Sequence, residues 1–183
     1  MTTVIGSVPE GAELLARDLL DQLDQLTDDL VDRIRVGDEI YAESTSLTDQ
    51  QLHSTVHDNL AALLGQLSGT AARRLHPAIV AGRLKAELGI PLAALLHAYR
   101  LAGRLIWERS LRGAAPSTQD CLPALGSEIW RLVDDYSSAA ADSYEHYLAD
   151  RVHRRCADPK AAAELYIALR AARLMDADHT ANP

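Results

Sequence analysis

A chain of 183 residues is long enough for one domain with a proper core, and its apolar 48% comes chiefly from Leu and Ala, with no Phe, two Trp and six Tyr. That mix favours helix over strand, and a net charge of −8 argues against unassisted nucleic-acid binding. No apolar run approaches the ~20 residues needed to cross a bilayer, and MTTVIGSVPEG lacks the basic-then-apolar pattern of a secretion signal, so a cytoplasmic protein with no membrane contact is expected.

Ser7 followed by Pro9 suits a helix start. Leu15, Leu19, Leu23, Leu26, Leu30 and Ile34 then recur at spacings of three and four, which predicts one amphipathic helix, or two broken near Thr27. After Gly37, residues Asp38 to Ser46 read as a connector or short helix. Thr48 with Gln51 has the form of a capping box, opening a helix that packs through Leu52, Val56, Leu60, Leu63, Leu64 and Leu67 and ends at Gly69. The next helix is expected from Thr70 or His76 to Leu88. Gly89 suits the left-handed residue that closes it, Ile90 folds back, and Pro91 suits the first position of the following helix, about Leu92 to Leu111. Beyond Pro116–Ser117–Thr118 a long helix carries Leu122, Leu125, Ile129, Leu132, Val133, Tyr136, Ala140, Tyr144, Tyr147 and Val152 to about Arg155. Such length points to an exposed dimer contact or a stalk, and a dimer is expected with Tyr136, Ala140, Tyr144 and Tyr147 as its face. Asp158–Pro159 ends it, Lys160 to Met175 form an Ala-rich last helix, and 176–183 are expected to fray. The fold class is all-α, with a single domain over 1–183.

Charge alternates along the chain: −10 over residues 1–69, +6 over 70–113, −6 over 114–150 and +2 over the rest. Helices of complementary sign and solvated faces of mixed sign both fit this pattern. Within the basic segment, Tyr99, Arg100, Arg104 and Trp107 share one helix. Two guanidinium forks beside aromatics can hold a carboxylate or phosphate; the same side chains can tie the helix to Asp134, Asp135 or Glu39. His97 joins this set as a candidate ligand-binding residue. A haem crevice needs aromatic walls that a chain without Phe does not supply, so no cofactor is expected. His53 and His57 stand four apart without a third ligand, and Cys121 and Cys156 lack a CxxC spacing, so no metal site is expected either. No GxSxG, P-loop or GxGxxG is present, and the acids Asp134, Asp135, Asp142 and Glu145 read as solvent-facing; catalytic residues are not identified.

The run Gly82-Arg83-Leu84-Lys85-Ala86-Glu87-Leu88-Gly89-Ile90-Pro91-Leu92, with Ala98-Tyr99-Arg100-Leu101, Ala102-Gly103-Arg104 and Trp107-Glu108, resembles the N-terminal domain of the RsbR/RsbRD co-antagonists. A similar domain opens PucR-type transcription regulators of actinobacteria. Ile40-Tyr41-Ala42 and the helix bearing Asn59 and Leu60 resemble the weaker preceding motif. The resemblance covers about 12–150 and leaves 159–175 as an extra C-terminal helix. It implies a globin-like helical bundle without haem that dimerises and serves signal transduction as a sensory input. Relatives usually continue into an output domain, a STAS domain or a helix-turn-helix, and the expectation here is a module without that output. The expected function is therefore a non-enzymatic, homodimeric regulatory module for a small ligand or a regulatory protein partner. An all-α enzyme or intermediate-binding protein with a pocket between helices is the second reading, and a haem or gas sensor the third.

Overall fold

The protein is described by a computed structural model over residues 10–37, 41 and 47–157, with the side chains of 155–157 excepted. Among these residues the structure is all-α, without strands: α1 (Glu10–Leu20), α2 (Leu23–Gly37), α3 (Asp49–Leu67), α4 (His76–Glu87), α5 (Leu92–Gly113), a 3-10 turn (Pro116–Cys121) and α6 (Leu122–Ala157). The expected helix start at Ser7 and Pro9, most of the connector 38–46, Cys156, the stop at Asp158–Pro159 and the helix Lys160 to Met175 lie outside the described residues or side chains. Compact units form over Met1–Tyr144 and over Glu145–Pro183. In the second, helical residues 145–157 are described, with Leu148 and Val152 exposed.

The leucine stripe of the first two helices is buried at Leu15, Leu19, Leu26, Leu30 and Ile34, and α1 and α2 both pack on α3 and α5. The break between them falls at Asp21–Gln22 rather than near Thr27. Thr27 is buried inside α2, where its hydroxyl donates to the Leu23 carbonyl at 2.8 Å, so a residue often found at helix ends is satisfied within one. The capping box forms as the sequence predicts: the Gln51 amide donates to Thr48 Oγ1 at 3.1 Å, and the Thr48 amide to Gln51 Oε1 at 3.0 Å.

The corner between α4 and α5 is a Schellman close. Gly89 has φ +70, its amide donates to the Ala86 carbonyl at 3.3 Å, and the Ile90 amide reaches back to Lys85 at 2.9 Å while its side chain is buried. Pro91 sits one position earlier than expected, as the N-cap of α5, where its extended backbone (ψ 141) turns the chain and its carbonyl receives the first amides of the helix.

The long helix α6 buries Leu125, Ile129, Leu132, Val133, Tyr136 and Ala140 in the first unit. Its close approach depends on residues without a Cβ. One added at Gly82 would stand 2.0 Å from the Ala140 carbonyl oxygen, and one at Gly103 would stand 2.7 Å from Val133. Ser143 strengthens the first crossing by donating to the Ile79 carbonyl at 2.8 Å. Tyr136 and Ala140 therefore belong to the core, not to a dimer face. Their spacing continues the apolar stripe that packs inward, and nothing of either side chain reaches solvent.

Candidate functional site

The sequence of α4, HPAIVAGRLKAE, places Ala78, Ala81, Gly82 and Ala86 on the buried side, and Lys85 falls in register with them, four residues after Ala81. Small residues let α4 lie close to its neighbours, so the lysine stem is carried inward instead of snorkelling to water. Lys85 is 2% exposed, and its Nζ has no hydrogen-bond partner. The nearest aromatic is Tyr41, whose ring centroid lies 5.2 Å from Nζ, a cation–π distance.

Lys85 lines a cavity of about 50 Å³ bounded by α2, α3, α4, α5 and Tyr41. Its walls are mostly aliphatic, among them Leu30, Ile34, Val56, Leu60 and Leu95. Polar groups enter from Lys85, Thr55, Asn59 and the tyrosines. Tyr99 is buried on α5 and donates its hydroxyl to Asn59 Oδ1 at 3.0 Å; the Asn59 amide donates to the Thr55 carbonyl at 2.8 Å and the Pro77 carbonyl at 3.3 Å. Thr55 donates to the Gln51 carbonyl at 2.6 Å. Asn59 thus ties three helices together and holds one wall of the cavity in place. The buried Tyr136 hydroxyl has no partner, a second unsatisfied polar group on the same tyrosine-bearing side of the core.

Burial depresses the Lys85 ammonium from 10.5 to about 8 by stripping its hydration. At pH 7 it still carries its proton, as a cation in mostly apolar surroundings with no counterion among the described residues. Burial, then the neighbouring Tyr41 and Tyr136, pushes the Tyr99 phenol far up, and it stays neutral. Burial also raises the Tyr136 phenol, against the pull of Arg73. The arrangement offers one unpaired positive charge, neutral phenols and aliphatic walls.

The residues singled out from sequence separate into two environments. Tyr99 lines the cavity, whereas Arg100 and Arg104 are exposed on the far side of α5. Arg104 Nε donates to Glu108 Oε1 at 2.8 Å rather than to Asp134 or Asp135, while the third expected partner, Glu39, lies outside the described residues. Arg33 meets the same carboxylate at 2.9 Å, and the hydrogen bond from Arg104, followed by that from Arg33, holds the Glu108 carboxyl below its ordinary range. Asp135 is paired with Arg73 at 3.3 Å and with Arg131 at 2.7 Å. Trp107 is half-buried against Gly126, where an added Cβ would stand 3.1 Å from its ring. His97 is half-buried beside Gly37 and does not line the cavity. His53 pairs with Asp28 at 3.1 Å, and among the described residues no group of three metal-ligating side chains converges. Lys85 was not singled out from sequence. The signal for it is a lysine in phase with Ala78 and Ala81 on a helix whose outer face already carries Arg83 and Glu87, paired at 2.9 Å.

No helix among the described residues is long and apolar enough to cross a membrane. Residues 24–158 match the family described as the RsbT co-antagonist protein rsbRD N-terminal domain, to which the α4–α5 corner also points. No curated protein and no solved structure gives a significant match.

Proposed function

Because the chain belongs to the RsbRD N-terminal domain family, and so is a regulatory signalling module, we propose that it acts as a non-enzymatic cytoplasmic input that binds a small ligand in the cavity between α2, α3, α4 and α5. The observation carrying this reading is the cavity, where the Lys85 ammonium is buried without a hydrogen-bond partner among the described residues. Unsatisfied buried polar groups are costly, and a ligand that satisfies them is bound by the state that encloses them. Occupancy shifts helix packing only through different affinity for two arrangements, and α4 is the element placed to report it. It forms one wall through Lys85 and touches α6 through Gly82 and Ser143. Any globin-like character of the bundle serves this role without haem.

A thermal-shift survey of small metabolites against the wild type and Ala98→Leu, which narrows the cavity, tests the reading. Ligands are expected to raise the wild-type Tm and leave the variant unmoved, with circular dichroism checking its fold. No shift for any compound, or equal shifts in both proteins, overturns it.

The homodimer is proposed on a different face of α6 from that expected from sequence. Trp130 is 47% exposed there although it borders the buried Ile129 and Leu132. Light scattering is expected to return twice the chain mass, falling to one chain in Trp130→Ala; a wild-type monomer at micromolar concentration sinks the proposal.

A further inference from the structure

The ligand class follows from three features of the cavity, taken together with the proposed sensory role on which this inference rests. The first is charge. Among the described lining residues Lys85 Nζ is the one cation and none is a carboxylate, and Nζ has no hydrogen-bond partner among the described residues. A buried unpaired ammonium selects an anion, and an ion pair with it also supplies the hydrogen bonds it lacks. The second is the absence of a partner for a second charge. An amino acid's own ammonium would find no acid among the described lining residues, and a phosphate or dicarboxylate would bring more negative charge than one lysine neutralises. The third is size and polarity. A water-sized group needs roughly 10–15 Å³ on this measure, so about 50 Å³ accommodates roughly four such groups. Around them the walls are Leu30, Ile34, Leu60 and Leu95, which suit an alkyl tail.

We propose that this cavity binds a short-chain monocarboxylate, from acetate to butyrate, with the carboxylate on Lys85 Nζ and the alkyl end against the leucine-rich walls of α2, α3 and α5. Asn59 and Thr55 position the wall rather than the ligand, since the Asn59 amide and the Thr55 hydroxyl are already committed to backbone carbonyls. Ordered water alone is a poorer occupant. A water there needs two to four polar partners, and most of the lining is hydrocarbon.

Titration calorimetry on the full chain at pH 7 with acetate, propionate and butyrate, and with the neutral amide of each, tests the assignment. At least one acid is expected to bind saturably to the wild type and at least tenfold more tightly than its amide. Lys85→Met is expected to lose that binding while keeping the helical spectrum. Should Lys85→Met not fold, Lys85→Gln takes its place with the same expected loss. An amide binding as well as its acid, or a lysine variant binding the acid unchanged, overturns the carboxylate assignment. If no acid binds but other compounds stabilise the wild type and not Ala98→Leu, the assignment fails and the sensory cavity stands. If Ala98→Leu matches the wild type for every compound, both fall.

Discussion

Replacing Lys85 by methionine, which keeps the unbranched stem and removes the charge, is expected to stabilise the protein at neutral pH. In the folded chain the ammonium titrates near 8 instead of 10.5. Between those values the unfolded state binds the proton and the folded state does not, so stability rises with pH across that window. Below about pH 8 the cost is fully present. A gap of this size corresponds to about 3 kcal/mol at pH 7, of which about 2 kcal/mol is relieved by pH 9.5. Loss of the cation–π contact with Tyr41 offsets roughly 1 kcal/mol, leaving a net gain for Lys85→Met of about 2 kcal/mol at pH 7. Urea denaturation at half-unit intervals from pH 7 to 9.5, below the range where the raised tyrosines contribute, measures both quantities. The wild type is expected to gain stability over the series and the variant to stay nearly flat. A variant no more stable than the wild type at pH 7, with parallel pH dependence, would refute the claim that this lysine is buried as an unpaired cation. A sensor that carries such a cation forgoes stability that a bound anion restores.

Three further tests, with five substitutions between them, rest on the packing and hydrogen bonds. Gly82→Ala forces a methyl into the Ala140 carbonyl and is expected to cost at least about 3 kcal/mol in denaturant melts, whereas Gly89→Ala, with open space but φ +70, costs only about 1 kcal/mol; the reverse order contradicts the α4–α6 crossing. Tyr99→Phe removes the hydrogen bond to Asn59 and is expected to cost about 1 kcal/mol, while Tyr136→Phe removes a hydroxyl without a partner and costs about 0. Equal losses in the two variants would show that the Tyr136 hydroxyl is satisfied. Thr48→Ala deletes half of the capping box of α3 and is expected to cost about 1 kcal/mol by the same melts.

Local chemistry made most helices legible in the sequence. Gly89 and the capping pair Thr48 and Gln51 each act through atoms within a few residues, so composition alone locates them. Thr27 misled because its hydroxyl has two equally local uses, capping a new helix or bonding back within one, and burial selects the second. The stripe through Tyr136 and Ala140 has the same spacing whether it faces a second subunit or the core. The glycines at positions 82 and 103, distant in sequence, admit α6 closely enough to bury it. Tyr99, singled out from sequence, lines the cavity, whereas Lys85 beside it was not legible, since lysines on helices are seldom buried without a partner. Arg100 and Arg104 illustrate the converse. They adjoin Tyr99 in sequence, but helical geometry turns them to solvent, and Arg104 there meets Glu108.

The central claim, an unpaired lysine ammonium poised for an anion, is tested most directly by observing that side chain. With lysines carrying ¹³C at Cε and Lys85→Met used to assign the signal, its titration can be followed by NMR with and without propionate. A midpoint near 8 in the free protein, moving upward when propionate is added, is the expected result. A midpoint near 10.5 that propionate leaves in place would contradict the account.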